Sequence, residues 1–189
     1  RIPVGPFKMI FEQIAIGGDR NFAYLVGDEE TKKAVLVDPA YQMDELLQKV
    51  SNYGLELDYI FCTHSHADHI SGNHYIKEKT KVKVLMFQTT TVECDVKVND
   101  GDILKLGSLN FKFIFTPGHS SDDMSILVND QKLIVGDTLF VGMIGGSDFG
   151  EGARQQFNSL KKLMMLNDNI EVYPGHGYGV KPSSTIGEE

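Results

Sequence analysis

Short apolar runs separated by turn residues set the frame of this chain. Residues 9–16, 22–26 and 34–38 read as three strands, joined by Gly17-Gly18-Asp19-Arg20-Asn21 and by a turn at Gly27-Asp28-Glu29-Glu30. This pattern predicts an antiparallel meander. Asp38-Pro39 stops the third run, and Met43, Leu46, Leu47 and Val50 then fall on one face of a helix that Gly54 ends. Tyr59-Ile60-Phe61-Cys62 reads as a buried strand, and Ile70, Tyr75 and Ile76 suggest one helix beyond it. Residues 82–86 form a further strand. Residues 102–106 and 109–115 flank Gly107-Ser108, a two-residue hairpin signal. A second hairpin is expected from residues 125–128 and 132–135 around Asn129-Asp130-Gln131. Phe157, Leu160, Leu163 and Met164 give helical spacing over 153–166, and residues 171–173 close the pattern with a strand. Hairpins mixed with isolated amphipathic helices predict an α/β protein.

Composition narrows the class. The 189 residues, 41% hydrophobic and 23% charged, suit one globular domain, placed at residues 9–189. Residues 1–8, with two prolines ahead of Met9, read as a vector remnant or a disordered N-terminus. The net charge is −8 and there is no basic stripe, which argues against a nucleic-acid partner. No apolar stretch has the length of a membrane span and no signal-peptide pattern is present. A cytoplasmic protein acting on a small molecule, without a membrane partner, is expected. Cys62 lies inside an apolar run and reads as a small buried hydrophobe. It and Cys94 form no spaced pattern, so a reducing compartment is the default.

The candidate chemistry is concentrated in Thr63-His64-Ser65-His66-Ala67-Asp68-His69, directly after a buried strand. Neutral imidazole and carboxylate suit first-row metal ions. Of the six histidines in the chain, three are here, and His119 and His176 occupy turn motifs of their own. Predicted strands run into His64, His119, Asp137 and His176, and the last three each follow a glycine, which permits tight turns. A solvated loop does not account for this distribution. A metal site that collects ligands from several strand ends does.

The ordered set Thr-His-Ser-His-Ala-Asp-His, Pro-Gly-His, Gly-Asp-Thr-Leu-Phe and Pro-Gly-His-Gly resembles the metallo-β-lactamase-fold superfamily over nearly the whole chain from Met9. The resemblance implies a four-layer αβ/βα sandwich: two mixed β-sheets face to face, helices outside, and metals at one edge. It implies His64, His66 and His119 on a first metal, Asp68, His69 and His176 on a second, and Asp137 bridging both. Asp68 and Asp137 are then the carboxylates at the reacting centre, with Thr63 orienting a ligand. Two divalent ions, zinc ahead of iron or manganese, are the implied cofactors.

Within that superfamily the chain is similar to the glyoxalase II group and to persulfide dioxygenases, through Gly136-Asp137-Thr138-Leu139-Phe140, Ser147-Asp148-Phe149 and residues 184–189. The first group implies hydrolysis of a hydroxyacyl-glutathione type of thioester by a metal-bound hydroxide. The second implies one Fe(II) on His64, His119 and Asp137, a two-histidine-one-carboxylate set, oxidising a glutathione-type persulfide. The hydrolase is expected here. The intact ligand positions argue against a non-enzymatic metal-binding member. Two places depart from the pattern. Gly146 stands where relatives often carry arginine, and Arg154 reads as a solvated residue of a first helical turn. Asp122 and Asp123 replace small residues, and are expected either near the site mouth or as surface turn residues.

Overall fold

The computed structural model describes residues 9–189; the expectation for residues 1–8 lies outside them. The first half alternates strands with helices in the order β1 (Met9–Gly17), β2 (Asn21–Asp28), β3 (Lys33–Val37), α1 (Met43–Asn52), β4 (Glu56–Phe61), α2 (Ala67–Ile70), α3 (Asn73–Thr80), β5 (Lys83–Phe87) and β6 (Val96–Val98). The second half is richer in hairpins: β7 (Ile103–Leu106), β8 (Leu109–Phe115), β9 (Met124–Val128), β10 (Lys132–Gly136), β11 (Leu139–Phe140), β12 (Met143–Ile144), α4 (Glu151–Leu163), β13 (Glu171–Pro174) and β14 (Ser184–Thr185). One six-stranded sheet runs β1-β2-β3-β4-β5-β6 and the other β14-β13-β10-β9-β8-β7. Both are mixed: β3, β4, β5 and β6 pair in parallel, as do β10 and β13, and the other ladders of the two sheets are antiparallel.

Side-chain alternation sorts the apolar residues into layers. Val35, Val37 and Phe61 point between the sheets, where Phe61 meets Phe111 and Phe113 edge-on at ring separations of 5.1 and 5.3 Å. Their neighbours Ala34, Leu36, Ile60 and Cys62 point the other way, into a cluster with Leu46 and Val50 of α1 and Ile76 of α3. Ile114, Leu127, Leu133 and Val172 cover the outer face of the second sheet against Leu163 of α4. These three apolar layers separate helices, sheet, sheet and helix, the four-layer arrangement the sequence implies. Among the described residues no helix is long and apolar enough to cross a membrane.

The structure departs from the expected elements in three places. The single helix expected around residues 70–77 is two, with Ser71 as the C-cap of the first and Gly72 as the N-cap of the second; Gly72 packs on the Pro39 carbonyl, whose oxygen would be 1.9 Å from an added Cβ. The last helix begins and ends earlier than 153–166, with Met164 as its C-cap. The strands β6, β11, β12 and β14 are two or three residues long and were not anticipated.

Candidate metal centre

Loops at the carboxyl ends of β3, β4, β8, β10 and β13 meet at one edge of the sandwich. The two sheets are stitched together there by backbone: Phe22 N–H donates to Gly175 O at 2.9 Å, Gly177 N–H to Arg20 O at 2.9 Å, and Met124 N–H to Thr63 O at 2.9 Å. Donors therefore reach the site from both sheets. Gly136 has φ +53°, and an added Cβ would lie 2.6 Å from Thr63 Oγ1, so the turn that presents Asp137 requires glycine.

The seven expected ligand residues come together as two groups. His64, His66 and His119 form one; Asp68, His69, Asp137 and His176 form the other, each group with its ligand atoms within 4.8 Å of one another. In the first, His66 Nδ1 lies 3.1 Å from His64 Nε2 and 3.1 Å from His119 Nε2. In the second, His176 Nε2 lies 3.0 Å and His69 Nε2 3.4 Å from Asp68 Oδ2. Asp137 Oδ2 lies between the groups, 3.2 Å from His69 Nε2, 3.4 Å from His119 Nε2 and 3.7 Å from His64 Nε2.

The partners on the far side of each ring fix which nitrogen carries hydrogen. His119 Nδ1 donates to Gly146 O at 2.6 Å, and His69 Nδ1 donates to Asp38 Oδ2 at 2.9 Å. Thr63 Oγ1 gives its proton to Asp38 Oδ2 at 2.7 Å and so accepts from His64 Nδ1 at 3.0 Å. Three Nε2 lone pairs thus converge on the same space as the Asp137 carboxylate. Lone pairs facing a carboxylate repel unless a cation lies between them. The donor set, nitrogen and carboxylate oxygen, suits zinc, iron or manganese. This is a metal-binding site.

Where no cation lies between them, the rings differ in how readily they take a second proton. Burial and the neighbouring histidines hold His64 well below the ordinary imidazole pKa, and burial lowers His119. Burial opposes charge on His69, but Asp38, Asp137 and Asp68 outweigh it and push that ring well up. His176 is likewise raised, against burial, by Asp137. Burial also opposes charge on Asp137, yet His176 and His69 keep it far below the usual carboxylate range. Asp68 is held low by His69 and Asn21.

The structure corrects one expectation and adds residues that sequence reasoning missed. Asp122 and Asp123 are neither at a solvent-lined mouth nor on a surface turn; they are 2% and 1% exposed. Backbone turns them inward, so that Ser120 N–H donates to Asp123 Oδ2 at 2.5 Å and Ser120 Oγ donates to Asp122 Oδ1 at 2.6 Å. Arg154 is exposed and lies 3.7 Å from Glu151, in keeping with the solvated reading. Gly146 contributes its carbonyl rather than a side chain. Asp38, read only as a strand stop, orders Thr63 and His69 at once. Asn21 holds Asp68 through both its backbone and its side-chain oxygen, at 3.0 and 3.1 Å. Tyr178 stacks on His176 with ring centres 4.8 Å apart and donates to Asp19 Oδ2 at 2.6 Å. An Asp immediately after an apolar strand is the one local signal that could have marked Asp38.

Known proteins are similar to this chain in fold and sequence. A crystal structure of ETHE1 from Myxococcus xanthus superposes with a TM-score of 0.89 at 39% identity, covering 96% of this chain and 81% of that one. The mitochondrial persulfide dioxygenase ETHE1 of Mus musculus is 31% identical over 89% of this chain and 68% of its own length. Hydroxyacylglutathione hydrolase of Dictyostelium discoideum is 33% identical over 85% of this chain and 63% of its own length. The model of the metallo-beta-lactamase superfamily matches residues 16–176, a span that holds both donor groups, and this chain is a member of that superfamily.

Proposed function

We propose that this chain is a metal-dependent hydrolase of a small thioester of the hydroxyacyl-glutathione type. The observation that supports it is the complete second group, Asp68, His69 and His176, joined to the three histidines through Asp137 Oδ2. In this reading His64, His66 and His119 hold one divalent ion, Asp68, His69 and His176 a second, and Asp137 both. A pair of divalent ions supplies Lewis acidity and makes water a competent nucleophile near neutral pH.

The chain's own residues prepare that chemistry. Asp38 and Gly146 O keep protons on the outer nitrogens of His69 and His119, so the inner nitrogens stay free to bind. Asn21 fixes the orientation of Asp68, whose side chain is 37% exposed and can pass a proton to solvent. Zinc is the first expectation for the ions, and a free small molecule, not a nucleic acid or membrane, for the substrate.

A second reading is favoured by the similarity to ETHE1 proteins: a mono-iron persulfide dioxygenase. His64, His119 and Asp137 alone then hold the ion, and His66, Asp68, His69 and His176 surround it. Metal content of protein purified without added metal separates the two. About two ions per chain, with thioester cleavage that is lost in His66→Ala and His176→Ala, supports the hydrolase. One iron per chain, with oxygen uptake on a thiol persulfide, overturns it in favour of the dioxygenase. No metal after reconstitution defeats both.

A further inference from the structure

Of the two donor groups, only one has an evident carboxylate behind an imidazole: Asp38 behind His69. The other group has a candidate that the hydrogen-bond pattern leaves unexplained. Asp123 is buried in the turn after His119. Its Oδ2 is used by Ser120 N–H, but its Oδ1 is buried and accepts no hydrogen bond from the described residues. That oxygen lies 3.4 Å from His64 Nδ1, on a ring that is itself fully buried. Thr63 Oγ1 sits 3.0 Å from the same nitrogen, with its own proton committed to Asp38. The His64 Nδ1 proton is bonded to the neutral Thr63 hydroxyl, and a carboxylate oxygen with no other partner among the described residues lies within 3.4 Å of the same nitrogen. A buried carboxylate oxygen without a donor is costly, and burial with Asp137 and Asp122 nearby pushes the Asp123 carboxyl well up; an imidazole that binds a cation through its opposite nitrogen becomes the better donor that would relieve this cost.

We propose that Asp123 is a positioning residue for the three-histidine group, sharing the His64 Nδ1 proton with Thr63 and so strengthening His64 Nε2 as a ligand. The inference rests on the reading of this group as a metal site. Each group then contains one histidine backed by a buried aspartate, Asp38 behind His69 and Asp123 behind His64. Asp123 touches neither ion nor substrate in this role; it acts through His64.

The test is a stepwise Co(II) titration of metal-free protein, followed by visible absorption, in the wild type, Asp123→Asn and Asp122→Asn. Asp123→Asn keeps the shape and removes the charge. It is expected to weaken one of the two binding steps about 10–100-fold and to shift the ligand-field bands of that step. Asp122→Asn changes the same turn and the same net charge but does not face His64; its amide oxygen can still accept from Ser65 N–H and Ser120 Oγ, as Asp122 Oδ1 does, and the variant is expected to leave both steps alone. Binding constants and bands in Asp123→Asn equal to those of the wild type, or equal losses in both variants, would overturn the proposal. Should Asp123→Asn fail to fold, the carboxyl carbon resonance of Asp123 in wild-type protein serves instead: it is expected to move when zinc fills the site, and an unmoved resonance overturns the assignment. A wild type that takes up no Co(II) at all defeats the metal reading itself, which is a distinguishable result.

Discussion

Asp28 and Asp137 are both buried aspartates that link one sheet to the other, at opposite ends of the sandwich. Asp28 ends β2. Its Oδ1 accepts from Glu30 N–H at 3.0 Å, and its Oδ2 accepts from Thr31 Oγ1 at 2.8 Å and from Ser108 N–H at 3.0 Å, across to the turn between β7 and β8. Every one of these partners is a neutral donor, and the carboxylate is satisfied by the protein alone. Asp137 instead faces the nitrogens of four histidines, three of which have their protons directed elsewhere. Residue type and burial are alike; the hydrogen-bond accounting is opposite. Burial of a carboxylate therefore does not mark a functional site, whereas burial among acceptors does.

The contrast can be broken or sharpened by four substitutions. Asp137→Ala has the largest expected effect: loss of turnover and of bound metal in both readings of the reaction, since both use this carboxylate. Near-normal activity in that variant would sink the site assignment. Asp38→Ala is next, with metal affinity expected to fall about 10–100-fold by equilibrium competition against a chelator, because His69 loses the partner that fixes its Nδ1 proton. Asp28→Ala is expected to leave metal content unchanged and to lower the unfolding free energy in urea by about 1–3 kcal/mol, the cost of leaving buried donors unpaired.

That last loss should depend on pH in a defined direction. Burial pushes the Asp28 carboxyl up, but the hydrogen bonds from Ser108, Thr31 and Glu30 outweigh it and hold the folded-state pKa below the ordinary value. Asp28 therefore stabilises the fold fully above about pH 4, and its contribution disappears as pH falls through the depressed folded-state value. The wild type and Asp28→Ala should converge in acid. Release of metal by Asp28→Ala at neutral pH would erase the distinction between the two ends. The smallest effect is expected for Arg154→Ala: an exposed residue beside Glu151, whose removal should change stability by less than about 0.5 kcal/mol and leave KM unaltered.

The sequence made visible what is encoded locally. The HxHxDH spacing, the glycine-preceded His119, Asp137 and His176, and the strong hairpin signals at Gly107-Ser108 and residues 129–131 lie within a few residues each. What it hid depends on tertiary contact. Asp38 looks like the end of a strand until residues 63 and 69 are brought to it. Asp122 and Asp123 carry charges that suggest solvent, and only the packing of the turn against the β4 loop encloses them. The break between α2 and α3 falls at Ser71 and Gly72, where Gly72 packs against Pro39, a tertiary contact that no helical periodicity contains. The two- and three-residue strands are too short to show a period at all.

The stitching of both sheets at the metal edge has a thermodynamic consequence. An ion held jointly by His64, His119 and Asp137 spans the seam between the two halves of the sandwich, and the unfolded chain has no equivalent site. Its binding free energy is then cohesion between the halves. Above saturation, each tenfold rise in free ion should add about 1.4 kcal/mol per bound ion to the folded state. The melting temperature of this protein becomes a reading of the metal supply around it, and in a starved medium the seam between Phe22 and Gly175 is where the sandwich should begin to part.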